Sequence, residues 1–427
     1  MRSLLHTTNN TKQQRCSSRC FIVSLLLVLA GLVAWDVYLS LPNRRNLLPF
    51  PPKPLLSRRP STRQRGGGDD DGSCDIFRGE WVPDPDAPYY TNDTCKVIHE
   101  HYDCIRYGKP DLGFVNWRWR PDGCDLPRFN PWRFLHMMRG KSLAFVGDSL
   151  GRNQKDSLIC LLTRAAEPTT TTWLSSKHTV YYYGDYNFTL SHFWAPYLVR
   201  HEQIDEDGPA HTGLWNLYLD EPDDVWAAHV AELDYVVVSA SSWFYRPSML
   251  YEAGRLVGCH YCKLPNVTDL TLRYALRMAT RTALRALSGG GAAADDGGRR
   301  FFRGTALLRT VDPSQYEGGE WNGDGDCVRT APYGRGEKSV EGFERDFRAL
   351  QVEELASAAK AATDSGGKVR MLLMDTTEAM VLRADAHPSK YRGWTPEKHF
   401  TLHNDCVHWC LPGAIDTWND MLLHMLK

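Results

Sequence analysis

The sequence predicts an α/β fold with a parallel sheet covered by helices on both faces. Three observations carry that expectation. Short apolar runs at 141–146, 235–239, 304–308 and 369–374 have the length and unbroken hydrophobicity of strands buried on both sides. Longer stretches at 150–162, 269–287, 340–362 and 414–426 read as helices, and they alternate with those runs. The 427 residues are 42% hydrophobic and 24% charged, a globular balance that excludes general disorder and can fill a large core.

The chain opens without an acidic residue before Asp36. Arg2, Lys12, Arg15 and Arg19 precede an apolar run at 21–35, and counting on through Leu41 reaches the ~20 residues that span a bilayer. The run starts late and lacks a small-x-small cleavage site, which favours an uncleaved anchor over a signal peptide. Residues 1–20 then form a cytosolic tail and 21–41 a transmembrane signal anchor. Flanking charge leaves the orientation open, with Lys12, Arg15 and Arg19 on one side and Arg44, Arg45 and Lys53 on the other. Cysteines and sequons decide it. Beyond the anchor stand Cys74, Cys95, Cys104, Cys124, Cys160, Cys259, Cys262, Cys327, Cys406 and Cys410, an even set suited to disulfides. Asn92, Asn187 and Asn266 each begin an N-glycosylation triplet. The expected address is type II, with the body in the lumen of the secretory pathway.

Residues 42–73 read as a disordered stem, stiffened by Pro51, Pro52, Pro54 and Pro60 and solvated by Arg58, Arg59, Arg63 and Arg65. Residues 74–140 read as a Cys- and Trp-rich, loop-rich lobe, and 141–427 as the main α/β domain, with 289–298 and 365–367 as surface loops. Lys+Arg is 50 against Asp+Glu 51, so nothing marks a nucleic-acid partner. The 14 Trp, 19 Tyr and 15 Phe suit a large core, with some available to stack on sugars.

Chemistry is concentrated at two places. Phe145 to Gln154 joins a buried strand to a helix through Gly147-Asp148-Ser149. A serine there stands at the carboxyl end of the sheet, where open α/β folds bind ligands, with helix-start N–H groups nearby to stabilise an anion. Gly147, Asp148, Arg152 and Asn153 are expected around an oxyanion or a donor. Gly147-x-Ser149-x-Gly151 also fits a nucleophile elbow, but no HGGG-like loop precedes it. A bland alternative makes Ser149 only a helix cap. The second place is Asp405-Cys406-Val407-His408-Trp409-Cys410. A serine hydroxyl needs a base, and the base needs an orienting acceptor. The spacing lets Asp405 hold His408 by one ring nitrogen while the other faces Ser149, which gives an expected Ser149, His408, Asp405 triad.

Taken with Cys74-Asp-Ile-Phe-Arg-Gly-Glu-Trp-Val82, Cys104, Trp117-Arg118-Trp119, Arg152-Asn153-Gln154 and Glu317-Gly318-Gly319-Glu320-Trp321, these motifs resemble the plant trichome-birefringence-like polysaccharide O-acetyltransferases over nearly all of 74–427. The resemblance implies an SGNH/GDSL-hydrolase-like three-layer core, a Cys-rich lobe beside it, a Golgi type II anchor and the same triad. The segments 186–199 and 241–247 are most similar to the xyloglucan-acting subgroup. Two departures stand out. Ser239-Ala240-Ser241-Ser242 lies where many relatives carry an Asn suited to an oxyanion, and Asp312-Pro-Ser-Gln315 replaces a Ser-Pro-x-His pattern.

The expected activity is acetyl transfer through an acetyl-serine to a cell-wall hemicellulose, with galactose of xyloglucan side chains as the acceptor. No cofactor is expected to be bound. The acetyl donor is a co-substrate, acetyl-CoA or an acetylated intermediate carrier, with donor-supplying membrane proteins as partners. Alternatives are transfer to xylan, mannan or pectin, a polysaccharide acetyl esterase with the same triad, and a non-catalytic wall-polysaccharide binder. No metal is expected. Cys259-His-Tyr-Cys262 has zinc-like spacing but reads as a local disulfide, His99-Glu100-His101 is not a metalloprotease motif, and the loop from Asn322 breaks the EF-hand pattern at Cys327 and Tyr333. Cys406 and Cys410 are expected to bridge to distant cysteines such as Cys104 and Cys327.

Overall fold

The computed structural model describes residues 74–204, 213–288, 301–364, 366, 369–393 and 404–426, all within one unit spanning Asp71–Lys427. The expected tail, anchor and stem lie outside the described residues. Among the described residues, no helix is long and apolar enough to cross a membrane. The strands in chain order are β1 (Gly79–Pro83), β2 (Trp117–Pro121), β3 (Ser142–Gly147), β4 (Thr170–Ser175), β5 (His178–Tyr183), β6 (Phe188–Trp194), β7 (Val199–Gln203), β8 (Trp215–Pro222), β9 (Tyr235–Ser239), β10 (Ser248–Glu252), β11 (Arg255–His260), β12 (Thr305–Arg309) and β13 (Arg370–Met374). The longer helices are α1 (Pro131–Met137), α2 (Ser149–Leu162), α3 (Thr271–Ser288), α4 (Gly342–Asp364) and α5 (Asp416–Met425).

The main sheet has seven strands in the order β13-β12-β9-β3-β6-β5-β4. From β13 to β6 every pair is parallel, while β5 and β4 add antiparallel to the β6 edge. The expectation of a parallel sheet is thus corrected to a mixed one. The parallel strands are the apolar runs read from sequence, because both of their faces are covered. On β3, Leu143 and Phe145 enter one core while Ala144 and Val146 enter the other. On β12, Leu307 faces the first and Ala306 and Leu308 the second. The first core holds α2 and α5, and the second α3 and α4. That gives three layers. The outer helices are also tied by ion pairs from Arg277 and Arg281 to Glu354, whose side chain is almost fully buried.

A separate four-stranded sheet, β11-β10-β8-β7, packs against α3 and was not legible as strands. The β1–β2 ribbon belongs to the amino-terminal lobe, which does not stand apart. Ile76, Trp81, Tyr90, Tyr102 and Phe114 are buried in the same core as Leu143 and Phe145. Five disulfides use the ten cysteines of the body: Cys74–Cys124, Cys95–Cys160, Cys104–Cys410, Cys259–Cys262 and Cys327–Cys406. The long-range pairs expected for Cys406 and Cys410 form, and so does the local one.

Candidate active site

β3 ends at Gly147 with φ 154°, tight against β9. A Cβ there would lie 1.7 Å from the Ser239 carbonyl oxygen, so the close approach requires glycine. Asp148 is the N-cap of α2. Its carboxylate accepts the Leu150 N–H at 3.0 Å and the Ser241 N–H at 3.2 Å, tying the helix start to the turn after β9. Burial pushes its pKa up, against the pull of Arg309 and those two N–H donors. Asp148 is therefore a fastening and not a group facing a reactant. Ser149 follows as the first residue of α2, half-buried at the carboxyl edge of the sheet.

The other half of the site comes from the far end of the chain. His408 Nε2 lies 2.6 Å from Ser149 Oγ, and His408 Nδ1 lies 2.9 Å from Asp405 Oδ2. A carboxylate only accepts, so Nδ1 carries the proton and Nε2 is free to accept from the serine hydroxyl. The structure thus brings the three expected side chains into one hydrogen-bonded row. Asp405 is fully buried, and its Oδ1 accepts from the backbone N–H groups of Val407 and His408, at 3.2 and 3.0 Å. Arg392 donates to Oδ2 at 2.9 Å. Burial opposes the charge, but His408 first and Arg392 next outweigh it and hold Asp405 well below the usual carboxylate range.

Several contacts hold the His408 segment from outside the triad. Asn153, expected near an oxyanion, is instead used up on the backbone of Trp409. Its Oδ1 accepts the Trp409 N–H at 2.8 Å and its Nδ2 donates to the Trp409 carbonyl at 3.2 Å. Asp312 Oδ2 accepts from the Trp409 indole N–H at 2.5 Å, and His387 stacks on the same indole with ring centres 4.0 Å apart. His387 Nδ1 donates to the His408 carbonyl at 2.7 Å, and Gln315 Oε1 meets its other ring nitrogen at 2.8 Å. Gln315, which replaces a histidine of the resembled pattern, thus stands against another histidine, with its amide N–H donating to the Val381 carbonyl at 2.6 Å. Disulfides to Cys327 and Cys104 pin both flanks.

Tyr102 was missed by sequence reading, since a Cys-rich loop gives no periodic signal, and its neighbours His99 and His101 were weighed there only as metal ligands. The Tyr102 hydroxyl donates to the Ser149 carbonyl at 3.4 Å and accepts from Arg152 Nε at 3.2 Å, and its ring centre lies 5.5 Å from that of His408. The lobe therefore forms one wall of the site. Arg152, one turn after Ser149, sits 5.6 Å from the Trp194 ring centre. Asn187 and Asn266 are exposed, and Asn92 is half-buried. Among the described residues, Asp326, Cys327 and Cys406 have metal-like proximity, but both sulfurs are spent on their own disulfide, and so are Cys259 and Cys262.

A three-layer α/β core with a serine, histidine and aspartate in a row at the carboxyl edge of its sheet is the frame of an acyl-transferring or acyl-hydrolysing enzyme. The chain belongs to the GDSL/SGNH-like acyl-esterase family found in Pmr5 and Cas1p, whose model matches residues 126–425. The PMR5 N-terminal domain model matches residues 72–125. It is 48% identical to the protein trichome birefringence-like 19 of Arabidopsis thaliana, over 83% of this chain and 81% of that one. It is 40% identical to xyloglucan O-acetyltransferase 4 of Populus trichocarpa, over 84% and 82%, and 37% identical to xyloglucan O-acetyltransferase 1 of the same plant, over 93% of each.

Proposed function

We propose that this protein is a polysaccharide O-acetyltransferase that moves acetyl groups through an acetyl-serine on Ser149 to hydroxyls of a cell-wall hemicellulose, galactose of xyloglucan side chains in particular. The observation that carries the reading is the Ser149–His408–Asp405 row, in a chain whose relatives include proteins named xyloglucan O-acetyltransferase. In the first half-reaction Ser149 Oγ attacks the donor carbonyl and its proton passes to His408 Nε2. The tetrahedral oxyanion is stabilised by backbone N–H groups at the start of α2, and the leaving group departs with the electron pair. In the second, a sugar hydroxyl gives its proton to His408 and attacks the acetyl-serine, and Ser149 recovers its proton. Asp405 keeps the imidazole in the required tautomer and offsets its charge when protonated. General-base catalysis contributes about 10²–10⁴-fold and each oxyanion donor about 10²–10³-fold.

The apolar run at 21–41, the sequons and the disulfide set support a Golgi type II membrane protein with its body in the lumen. The test is acetyl transfer by the full chain, purified from membranes of a secretory host. A labelled donor is combined with xyloglucan, xylan or mannan oligosaccharides, with Ser149→Ala in parallel. Acetylated xyloglucan that disappears in Ser149→Ala is the expected result. Transfer to another glycan removes the acceptor assignment, Ser149-dependent acetate release without acetylated sugar makes the protein an esterase, and binding without turnover makes it a glycan binder.

A further inference from the structure

Beside Ser149 the carboxyl edge of the sheet carries two arginines on a corner of tryptophans. Trp194 ends β6 in register with Gly147, which places it next to the turn that presents Ser149. Its ring meets Trp243 edge-on, with centres 5.4 Å apart. The Arg152 guanidinium lies 5.6 Å from the Trp194 ring centre, and the Arg246 guanidinium lies 3.9 Å over Trp243. Both arginines are half-buried, and among the described residues neither has a carboxylate within ion-pair distance. Arg152 spends Nε on the Tyr102 hydroxyl. The acids nearest to it on its own helix are engaged elsewhere: Asp156 is paired with Lys155, and Asp148 is taken by two backbone N–H groups.

A guanidinium drawn partly out of water without a counter-ion is costly. Nothing in a neutral hemicellulose repays that cost. An anionic ligand does, and the planar fork of Arg matches phosphate oxygens. The two arginines differ in their surroundings: burial opposes the charge of Arg152, but Tyr102 first, then Asp156 and Asp148, outweigh it and raise its pKa. Burial lowers the pKa of Arg246, and the one charge-sensitive neighbour that opposes it is Tyr197. His101, on the lobe side, is pushed down to about 4 by burial first, then by His99, His408, Arg152 and Arg392.

We propose that Arg152, Arg246 and the Trp194–Trp243 corner bind the acetyl donor, and that this donor carries phosphate. The proposal rests on the transferase reading above and names the class of its first substrate. As the bond from Ser149 Oγ to the acetyl carbon forms, the bond from that carbon to the sulfur or phosphate oxygen of the donor breaks. The electron pair leaves on that atom, and the proton taken by His408 passes to it. Arg152 holds the phosphate of the donor through this exchange, and the indoles provide a flat surface for a nucleobase if the donor has one.

The experiment measures kcat and KM of the full chain with acetyl phosphate, acetyl-CoA and the neutral 4-nitrophenyl acetate, for wild type, Arg152→Gln, Arg152→Lys and Arg246→Gln. In the glutamine variants the ratio of kcat/KM for an anionic donor over the neutral one falls about 10- to 100-fold, carried by donor KM, and Arg152→Lys recovers part of it. Loss with acetyl-CoA but not acetyl phosphate in Trp243→Ala points to a nucleotide-bearing donor, and equal loss points to a simpler phosphate. An unchanged ratio overturns the proposal, and so does a rise confined to acceptor KM, which assigns the arginines to the glycan. Titration calorimetry of inorganic pyrophosphate into Ser149→Ala protein, with and without Arg152→Gln, reads the site without turnover. Binding weakened at least about tenfold by Arg152→Gln upholds the anion site even where the transferase reading fails, and binding that Arg152→Gln leaves unchanged, or none at all, removes it.

Discussion

Asp405→Asn tests the triad with the least change of shape. The asparagine Oδ1 can still accept from the Val407 and His408 N–H groups, so the turn that carries His408 keeps its local bonds. What changes is the atom facing His408 Nδ1. An amide NH₂ in place of Oδ2 is a donor, and so is the Nδ1–H it would meet 2.9 Å away. The cheapest relief is the other tautomer, with Nδ1 accepting and Nε2 protonated. Nε2 then points a proton at Ser149 Oγ across 2.6 Å and cannot take one. Arg392 also loses a charged acceptor in a site where the carboxylate is fully buried. Removal of the orienting acid in such triads costs about 10³–10⁴-fold in kcat, or about 4–5.5 kcal/mol of transition-state free energy. Acceptor KM should move little, because no substrate contact is altered. Steady-state transfer kinetics read both quantities, and circular dichroism with a thermal melt checks the fold. A well-folded Asp405→Asn protein within about tenfold of wild-type kcat refutes the assignment of Asp405.

Three further outcomes follow from the same structure. Asn153→Ala unclamps Trp409 from α2 and so lets His408 shift; kcat should drop about 10²-fold at nearly constant acceptor KM, whereas an equal loss in thermal midpoint and activity would make Asn153 merely structural. Asp416 and Asp420 are raised by burial to about 6 and about 7 while bonded to Tyr90 and Tyr89 of the lobe. Folded pKa values above the unfolded ones mean stability fully present below about pH 4 and lost as pH rises through 6–7; thermal midpoints of the Ser149→Ala protein from pH 5 to 8 should fall, and Asp420→Asn should flatten the slope. Replacing Cys104 and Cys410 together by Ser opens a 306-residue separation and should cost about 2–5 kcal/mol by chemical denaturation, with a larger loss of activity than the same change at Cys74 and Cys124, because Cys410 lies two residues beyond His408.

What the sequence made legible was the part of the fold with the strongest periodic signal. The strands at the centre of the sheet are continuous apolar runs because helices cover both of their faces, and observed bounds fall within a residue or so of those read from sequence. β4, Thr170–Ser175, is exposed throughout and looks like a polar loop. β5 ends in three consecutive tyrosines and shows no alternation, and the four-stranded sheet joins two antiparallel pairs, β7–β8 and β10–β11, through the parallel β8–β10 pairing, which no local window can see. At the site, Ser149, Asp405 and His408 were readable because each sits in a short motif whose chemistry needs those residue types. Tyr102, His387 and Asp312 were not, since they act through partners far off in sequence. Asn153 was read as a group near an oxyanion or a donor; one helical turn beyond Ser149 it lies on the same face of α2, and there its amide meets the Trp409 backbone next to His408.

The placing of His408 shows why so much of the chain is spent on one imidazole. Ser149 is positioned by a strand end, a glycine that admits close packing, and a helix cap, all local. His408 has no such element. It stands in an irregular segment before α5, where the backbone alone would leave its ring free to wander, and a displacement of about 1 Å costs roughly 10²-fold in rate. The fixing must come from outside. Asn153 grips the next residue from α2, Asp312 and His387 hold the indole, His387 also takes the His408 carbonyl, and two disulfides tie the flanks to Cys327 and to Cys104 in the lobe. The lobe is therefore part of the machinery that aims the base. Its Tyr102 touches Ser149 and Arg152 as well, and its aromatic residues complete the core beneath. Two disulfides, Cys95–Cys160 and Cys104–Cys410, tie the lobe to the main domain, so it is deletion of the lobe, and not a cut in the connecting chain, that would expose that core and release the base together.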